Sequence, residues 1–523
     1  WLQPKRNNKH FKTFGNRKRI MKPIETLKNE LREITDLKGA VNVLYWDMET
    51  YMPKGGTAAR AKQVAMLEAM VHERFIGEDV SNPLGELVNL DSGEIINGLD
   101  DETSRLVIEI WRDYHRAVAL PKEFVEELSH TSSMAHPDWV EAREKNDFNL
   151  FAPHLEKLIA LKHREIGYLG TQDTPYDTLL DEFEPGFTTA NINELFGELK
   201  TALVPMIKKI QESGVDTKQE ILHQYYDADK QWEFSEMILK DIGYDFHCGR
   251  QDKAVHPFTI DFHPTDVRVT TRINEHNLLD CLTGSIHEGG HALYEQGLDQ
   301  KWYGTPFCQA ISYGIHESQS RLWENLVGLS KPFWEYYFPK LQTVFPENLS
   351  AITLEDFYRA VNTIKPGFIR VDADEMTYNL HIMLRFEIEQ LIINEGADVA
   401  SLPELWNDKM EEYLGIRPET DTLGVLQDVH WSHGSFGYFP TYALGNLYNI
   451  IMFNKAKEKL PDLDNQIRSG NFLELRNWLK SNIHQLGRRQ TAKEMIKSIS
   501  GEDVTAKPFI DYLKKKYSKI YSI

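Results

Sequence analysis

Hydrophobic residues recur at helical spacing along most of this 523-residue chain. From Met21 onward, apolar side chains repeat every three to four positions, at Ile24, Leu27, Leu31 and Ile34, which is the pattern of one face of an amphipathic helix. The same spacing predicts helices over residues 57–76, 101–118, 121–129, 152–168, 192–214 and 218–242, and through the regions 354–395 and 472–517. The pattern therefore predicts a mainly α protein.

One segment breaks the helical pattern. Residues 256–262 and 266–272 alternate apolar and polar side chains, and the turn-forming sequence His263-Pro264-Thr265 separates them. Alternation with a period of two on both sides of a short turn predicts a β-hairpin. Such a hairpin either binds an extended peptide as an added strand or is only structural.

The chain shows no clear domain linker after residue 20. Turn signals at residues 52–56 and 184–186 separate helices without a change in composition, so residues 21–523 are expected to form a single domain. Residues 1–20 differ because they carry seven lysines and arginines and no acidic residue. We interpret them as a disordered basic leader derived from a vector or an upstream reading frame, with an organellar transit peptide as the alternative.

Charge and cysteine content exclude several classes of protein. The net charge of -20 argues against a nucleic-acid partner, which requires basic patches for the phosphates. The sequence contains no run of about 18 apolar residues, so it predicts no transmembrane helix. The three cysteines, Cys248, Cys281 and Cys308, show no CxxC spacing and cannot all pair, which favours a reducing, cytoplasmic location.

The candidate chemistry begins at residues 287–291, His-Glu-Gly-Gly-His. Residues four apart share one face of a helix, so His287 and His291 can reach one metal ion, while Glu288 can take a proton from water. This is the HExxH arrangement of zinc peptidases; the alternative is a solvated helix face. The adjacent glycines each weaken a helix by about 1 kcal/mol relative to Ala, and therefore indicate close approach of another segment or of substrate.

A third ligand is expected nearby, because catalytic zinc takes three protein ligands and leaves one position open. Glu317, in the sequence His-Glu-Ser-Gln at residues 316–319, is the natural candidate, and His316 is its rival. A single Glu is otherwise most often a surface carboxylate. Cys281 and Cys308 are interpreted as small buried apolar residues rather than ligands.

Five segments in this order resemble the motifs of the carboxypeptidase Taq family of metallocarboxypeptidases. They are Asp-Val-Arg-Val-Thr at 266–270, His-Glu-Gly-Gly-His at 287–291, His-Glu-Ser-Gln at 316–319, Ile-Arg-Val-Asp-Ala-Asp at 369–374 and Gly-Val-Leu-Gln-Asp-Val-His-Trp at 424–431. Residues 44–47 and 51–53 are also similar to the family. The resemblance runs from about Met21 to the C-terminus, and residues 1–20 lie outside it.

The resemblance implies a mostly helical, groove-shaped, neurolysin-like catalytic domain organised as a homodimer. It implies release of single residues from peptides with a free C-terminus, with broad side-chain preference. The implied cofactor is Zn²⁺, with Co²⁺ able to substitute. In this interpretation His287, His291 and Glu317 bind the metal, and Glu288 is the general base.

The oxyanion formed in peptide hydrolysis needs hydrogen-bond donors beyond the metal. Residues 430–442 are rich in histidine and tyrosine, and His433 and Tyr438 resemble the spacing of a His and Tyr pair in neurolysin-like enzymes. His430 and Tyr442 are the reserve candidates. Packing in the core is the alternative for each aromatic residue.

A carboxypeptidase must also recognise the terminal carboxylate of its substrate. Arginine does this best because its planar guanidinium binds a carboxylate with two hydrogen bonds. The family pattern makes Arg370 the first choice, with Arg268 and Arg417 as rivals. The alternative for each of the three is a structural ion pair with a nearby aspartate.

Two other functions remain open from the sequence. An endo-acting oligopeptidase on the same scaffold would cleave peptides whose C-terminus is blocked. A non-catalytic, zinc-containing peptide-binding protein would not need Glu288, and structural zinc sites normally have four protein ligands.

Overall fold

The computed structural model of the protein describes residues 22–96 and 98–523, so the basic segment at 1–20 lies outside the described residues. The described chain is mainly α, as predicted. Its α-helices are α1 (Pro23–Thr50), α2 (Thr57–Ile76), α3 (Glu78–Gly85), α4 (Asp101–Ala119), α5 (Lys122–Lys145), α6 (Ala152–Leu169), α7 (Pro175–Phe183), α8 (Thr189–Glu212), α9 (Ala228–Ile242), α10 (Leu278–Glu295), α11 (Tyr313–Arg321), α12 (Lys331–Val344), α13 (Pro346–Leu349), α14 (Leu354–Val361), α15 (Thr377–Glu395), α16 (Leu402–Leu414), α17 (Pro440–Lys459), α18 (Leu463–Arg468), α19 (Leu473–Asn482), α20 (Ala492–Ser500) and α21 (Lys507–Tyr521). Across residues 22–96 and 98–523, no helix combines the length and apolar character needed to cross a membrane.

The strands form one small sheet. They are β1 (Gln251–Lys253), β2 (Thr259–His263) and β3 (Asp266–Thr271), in the spatial order β1-β3-β2. Strands β2 and β3 pair antiparallel, which confirms the predicted hairpin. Strand β1 pairs parallel to β3 and was not predicted, because three residues are too few to show a period of two.

Several predicted helices were correct, and their ends have local causes. The predicted helix 57–76 coincides with α2, and helix α4 begins where the carboxylate of Asp100 accepts a hydrogen bond from the backbone N–H of Thr103. Helix α5 continues well past the predicted end at residue 129. It buries Ala135 and Trp139 and stops at Asn146, which adopts the left-handed conformation (φ 54°).

Three predicted helical stretches were wrong in part. Residues 219–223 form a 3₁₀ turn rather than helix, and α9 starts only after Asp227, whose carboxylate caps the first turn. The region 354–395 is interrupted between α14 and α15, because Pro366 and Gly367 do not continue a helix. This interruption carries Arg370 in a short 3₁₀ turn. The region 472–517 likewise contains the three separate helices α19, α20 and α21.

Most helices surround one large apolar core, and a smaller cluster lies beneath α1, α3 and α4. Helices α15 and α17 are buried on all sides, which is typical of helices at the centre of a large protein. Helix α17 packs along α11, and α11 packs against α10. The two helices that carry the HExxH and His-Glu-Ser-Gln segments therefore rest on the rigid centre of the molecule.

Candidate active site

The structure brings the three predicted metal ligands together. Helix α10 places His287 and His291 one turn apart, and their Nε2 atoms lie 3.7 and 3.4 Å from Oε2 of Glu317 on α11. One ligand atom from each residue lies within 4.8 Å of the other two. This spacing is compact enough for all three atoms to contact a single ion.

The two glycines of the motif allow the helices to approach this closely. A Cβ atom on Gly290 would lie 2.6 Å from Cα of Ser320 and 2.7 Å from the carbonyl oxygen of Gln319. A Cβ atom on Gly289 would lie 2.5 Å from Cδ2 of Leu239. The expected close approach of another segment is confirmed, and on the Gly290 side that segment is α11, which carries the candidate ligand Glu317.

A second layer of charged side chains holds the ligands in place. Nδ1 of His287 lies 2.8 Å from Oε2 of Glu324, and Nη1 of Arg321 donates to the same oxygen at 3.1 Å. Nε of Arg321 donates to Oε1 of Glu317 at 2.9 Å. Partners of this kind fix the tautomer and orientation of metal-binding histidines. Glu324 lies in a π-helical continuation of α11, Leu322–Gly328, a type of local distortion that is frequent at functional sites.

These contacts determine the charges of the ligands. Burial opposes protonation of His287, but Glu317 and Glu324 outweigh it and raise its pKa to about 9. Burial and the charge of His316 lower the pKa of His291 to about 3. For Glu317, burial is outweighed by His287 and Arg321, which hold its pKa well below its usual range. Neutral His287 and His291 with anionic Glu317 are a donor set that fits a divalent metal ion, and binding of the ion would displace the proton that the two carboxylates favour on His287.

Glu288 lies beside the ligands, as the motif requires. Its side chain is buried, lines the cleft described below, and accepts a hydrogen bond of 2.7 Å from the hydroxyl of Thr259 on β2. Burial raises the pKa of Glu288 above that of an ordinary glutamate. The hairpin therefore orients the candidate base, a contact that sequence spacing could not show.

His316, the rival third ligand, lies behind His291. Its ring stacks on that of His291 with centroids 4.4 Å apart, and its Nε2 is 2.8 Å from Oε1 of Glu295. The structure does not bring it into the group of three ligand atoms. Cys281 and Cys308 are buried free thiols and also lie outside that group.

The ligands open onto a cleft of about 1010 Å³. Its walls come from α10, α11, the strand region, residues 360–378, residues 438–442 and α21. Lining side chains include those of Thr259, Arg272, Glu288, Tyr313, Glu317, Arg321, Arg370, Asp372, Tyr378, Tyr438, Tyr442 and Tyr517. The predicted groove is therefore formed by segments that are widely separated in the chain.

Arg370 lines this cleft while remaining largely buried, with 8% of its side chain exposed. Nε of Arg370 donates to Oδ1 of Asp428 at 2.9 Å, and Nη1 donates to the hydroxyl of Tyr378 at 3.2 Å. Asp428 also accepts from Arg385 at 2.6 Å. One buried carboxylate thus serves two guanidinium groups and leaves an excess of positive charge at the cleft wall.

The other two candidate arginines lie elsewhere. Arg268 forms an ion pair of 3.0 Å with Asp266 and covers the ring of Trp46. Arg417 lies on the surface and binds acidic residues of α16, including Asp408 at 2.8 Å. Neither residue is among those lining the cleft, so of the three candidates only Arg370 is placed to contact a substrate there.

Only some side chains of the aromatic segment 430–442 line the cleft. Tyr438 and Tyr442 line the cleft with ring centroids 5.2 Å apart. His430 lies behind them, with Nε2 3.2 Å from the hydroxyl of Tyr442. His433 is exposed and stacks on His136. The structure does not bring His433 to the cleft lining.

A buried carboxylate that sequence reasoning missed holds the start of α11. Glu184 accepts hydrogen bonds of 3.0 Å from the hydroxyls of Ser312 and Tyr448 and from the backbone N–H of Gly314. Burial raises the pKa of Glu184 to about 7. No sequence signal distinguishes this glutamate from the many exposed ones.

Glu389 has the same role for the segment that carries Tyr438. It accepts hydrogen bonds from Nε1 of Trp431 at 2.9 Å and from the backbone N–H of Gly437 at 3.1 Å. Burial raises its pKa to about 7. Glu184 and Glu389, neither of which lines the cleft, therefore hold the two segments that carry Tyr313 and Tyr438.

Comparison with known proteins places this geometry in context. A sequence model of the Carboxypeptidase Taq (M32) metallopeptidase family matches residues 26–517. The chain is 41% identical to Carboxypeptidase 1 of Bacillus subtilis over 491 residues, which covers 94% of this chain and 97% of that protein. It is 40% identical to Thermostable carboxypeptidase 1 of Thermus thermophilus, covering 94% and 97% of the two chains.

Solved structures show the same similarity. The M32 carboxypeptidase from Deinococcus radiodurans superimposes with a TM-score of 0.92 at 37% identity, covering 96% of this chain and all of that one. The carboxypeptidase of Pyrococcus furiosus superimposes with a TM-score of 0.90 at 38% identity, covering 95% and 99% of the two chains.

Proposed function

The chain belongs to the carboxypeptidase Taq (M32) metallopeptidase family and is a metal-dependent carboxypeptidase, and from that premise we propose that it releases residues one at a time from peptides with a free C-terminus. We propose broad preference for the released side chain. The observation that carries the mechanism is the convergence of His287, His291 and Glu317 beside Glu288 in one cleft.

The proposed metal is zinc, with cobalt able to replace it. Two imidazoles and one carboxylate with a further position open to solvent are a donor set of catalytic zinc sites. When bound, such an ion lowers the pKa of a water molecule toward about 7 and polarises the scissile carbonyl. Arg321 and Glu324 contribute by fixing Glu317 and His287 in their binding orientations.

Glu288 is the proposed general base. Its carboxylate takes a proton as water attacks the scissile carbonyl and then delivers that proton to the leaving amine. Two features support this role: the hydrogen bond from Thr259 restricts the carboxylate to one orientation, and burial brings its pKa closer to neutrality. A base whose pKa approaches the working pH transfers protons most effectively in both directions.

Tyr438 is the proposed donor to the oxyanion. Its phenol lines the cleft, and burial, with a smaller effect of the Glu317 carboxylate, raises its pKa, so the hydroxyl keeps its proton. Tyr442 is the second candidate because it lines the cleft beside Tyr438. His433 receives no role here, since it stacks on His136 outside the cleft lining.

Arg370 is the proposed anchor for the terminal carboxylate of the substrate. Arg370 and Arg385 share the single carboxylate of Asp428, so this buried cluster carries unbalanced positive charge. Burial of an unbalanced charge is costly, and an incoming carboxylate would neutralise it. The peptide is proposed to lie along the edge of β2 as an added strand, with Thr259 at the cleft.

The remaining expectations rest on the family resemblance and on composition. We propose that residues 21–523 act as one catalytic domain, that the enzyme is a homodimer, and that it is cytoplasmic. Three free cysteines support a reducing location.

The decisive experiment compares one short peptide as its free acid and as its C-terminal amide. Purified enzyme, chelated enzyme, and chelated enzyme restored with zinc or cobalt are each assayed for free amino acids, with Glu288→Gln as the catalytic control. We expect stepwise release from the free acid alone, lost on chelation and recovered with either metal. Equal internal cleavage of both peptides would instead establish an endo-acting oligopeptidase.

A further inference from the structure

Three side chains on one face of α11 line the cleft one after another. Tyr313, Glu317 and Arg321 follow one another at intervals of four residues, so their side chains lie one above the other along the same helix face. Each turn of helix advances about 5.4 Å. Glu317, as a metal ligand, marks the reacting centre, and Tyr313 and Arg321 lie on opposite sides of it.

The Arg321 side leads to the proposed carboxylate anchor. The guanidinium of Arg321 lies 4.1 Å from the ring centroid of Tyr378, and the hydroxyl of Tyr378 accepts a hydrogen bond from Arg370 at 3.2 Å. A substrate whose terminal carboxylate is held at Arg370 therefore places its last residue on the Arg321 side of Glu317. The chain before the scissile bond must leave in the opposite direction, toward Tyr313.

Tyr313, at the opposite end of this row from Arg321, is unusual because its aromatic side chain is exposed. It lines the cleft and is 50% exposed, although most large aromatic side chains of this protein are buried. Its ring packs edge-to-face on Phe183 and Tyr438 with centroid distances of 5.5 and 5.3 Å, and Phe183 also contacts Tyr438 at 5.1 Å. The three rings support one another, so the exposed face of Tyr313 is held firmly toward the cleft.

We propose that Tyr313, backed by Phe183, forms the subsite for the side chain of the penultimate substrate residue and selects aromatic and large aliphatic side chains there. This inference rests on the proposed function and adds to it a preference at the position that becomes the new C-terminus. The hydrolytic steps do not use Tyr313, so its exposed ring has no part in the chemistry itself.

Distance and chemistry agree with this assignment. The scissile carbonyl at the metal centre belongs to the penultimate residue, and the side chain of a penultimate Phe or Leu extends about as far as one turn of α11. An aromatic side chain placed there would make a further edge-to-face contact with the ring cluster. Pairs of this kind are worth about 0.5–1.5 kcal/mol beyond their burial, which corresponds to a preference of about two- to tenfold.

The test uses N-acetylated tripeptides that share a C-terminal leucine and differ only at the penultimate position, which is Phe, Leu, Ala or Gly. Values of kcat/KM are measured for the metal-loaded wild type, Tyr313→Ala, Tyr313→Phe and Phe183→Leu. Tyr168→Ala is the matched control, because Tyr168 is a partly exposed tyrosine that packs on Phe124 away from the cleft lining.

We expect wild type to favour penultimate Phe over Ala by about two- to tenfold. Tyr313→Ala should reduce that ratio to about one through a higher KM, Phe183→Leu should reduce it partly, and Tyr313→Phe and Tyr168→Ala should keep it. A wild-type ratio near one, an unchanged ratio in Tyr313→Ala, or an equal loss on all four peptides would overturn the proposal.

A binding measurement separates this proposal from the proposed function. Calorimetry with the peptides acetyl-Ala-Phe-Leu and acetyl-Ala-Ala-Leu compares metal-loaded Glu288→Gln, which binds without hydrolysis, with the double variant Glu288→Gln, Tyr313→Ala. Tighter binding of the Phe peptide that disappears in the double variant supports the subsite whether or not hydrolysis occurs. Equal binding of both peptides by Glu288→Gln counts against the subsite even if the wild type releases C-terminal residues.

Discussion

Glu317 shows how single residues determine this site. Its Oε2 atom faces both imidazoles, and its Oε1 atom accepts from Arg321. The hydroxyl of Ser320 adds a hydrogen bond of 3.1 Å to Oε2. The carboxylate therefore has little rotational freedom, and its position depends on neighbours that do not themselves contact a metal.

Removing the charge of one such neighbour should weaken metal binding. Glu324→Gln loses the anionic acceptor for Nδ1 of His287, so we expect metal affinity to fall about 10- to 100-fold. Competition with a chromophoric chelator measures this affinity directly. Glu404→Gln, which removes an exposed partner of Arg417, is the control and should bind metal as wild type does; a normal affinity in Glu324→Gln would contradict the role given to this layer.

Glu288→Gln should separate catalysis from metal binding. The amide keeps nearly the same shape but cannot take a proton, so we expect kcat to fall by about 10²–10⁴ while one equivalent of metal remains bound. Turnover and metal content are measured on the same preparation. Loss of the metal together with activity would show instead that Glu288 supports the ligands.

The candidate site residues that could be predicted from the sequence are those that lie close together in short, recognisable motifs. His287, Glu288 and His291 lie within five positions, and Glu317 follows in a segment of recognisable type. Glu324 escaped notice because its partner His287 lies on α10 and becomes visible only when the two helices meet. Arg321 escaped notice because its partner Glu317 lies four residues before it on α11, a spacing that is common for ordinary ion pairs on helix surfaces. The placement of His433 also depends on long-range packing, since its neighbour His136 lies on α5.

At the scale of elements, the contact between α10 and α11 sets the geometry of the ligands. Gly290→Ala would place a Cβ atom 2.6 Å from the backbone of Ser320, and the two helices would have to separate. We expect a loss of about 1–3 kcal/mol in the free energy of unfolding, together with weaker metal binding, measured by denaturant titration and chelator competition.

Gly197→Ala in α8 is the matched control for this substitution. A Cβ atom at Gly197 meets nothing within 4 Å, so this helix should gain up to about 1 kcal/mol from the better helix former. If Gly290→Ala and Gly197→Ala changed the free energy of unfolding equally, the contact between α10 and α11 would not be tight.

Glu184, which holds the start of α11, should make the stability of the protein depend on pH. Burial raises the pKa of Glu184 from an ordinary value near 4.5 to about 7, so the folded state holds a proton that the unfolded state releases between these values. This contribution to stability is complete below about pH 4.5 and is lost as pH rises through about 7. In Glu184→Gln, the free energy of unfolding should fall by about 1–3 kcal/mol less than in wild type as the pH rises through this range.

Denaturant titrations at several pH values between 4.5 and 8 measure this slope. Glu194→Gln, on the exposed face of α8, is the control and should retain the wild-type slope. An unchanged slope in Glu184→Gln would mean that another group causes the dependence.

Elements were predictable where their signals were strong and local. Helix α2 and the β2–β3 hairpin followed from periodicity alone. Strand β1 was too short to show a period, and the extension of α5 depended on burial of Trp139 against distant segments. The π-helical turn after α11 has no sequence pattern that a periodicity analysis detects.

At the scale of the whole molecule, the last helix closes the cleft. Nζ of Lys516 lies 2.7 Å from Oε2 of Glu375, both side chains are almost fully buried, and Tyr517 donates to the same carboxylate. Glu375 and Tyr517 line the cleft. The C-terminal segment therefore belongs to the site as well as to the core.

Lys516→Met should leave Glu375 as a buried and poorly compensated charge. We expect a loss of about 3–5 kcal/mol in the free energy of unfolding, seen as a lower Tm. Lys507→Met, which removes an exposed ion pair with Asp511 on the same helix, should cost less than about 1 kcal/mol. A small effect at Lys516 would show that the pair contributes little to docking of α21.

The distance along the chain between Glu317 and Tyr517 also has a consequence during synthesis. Two hundred residues separate Glu317, the last candidate ligand, from Tyr517, the last side chain that lines the cleft. At about 5–20 residues per second, a ribosome needs about 10–40 s to make them. Throughout that interval the emerging polypeptide carries all three candidate metal ligands but lacks Tyr517, so the complete cleft cannot form before residue 517 has been made.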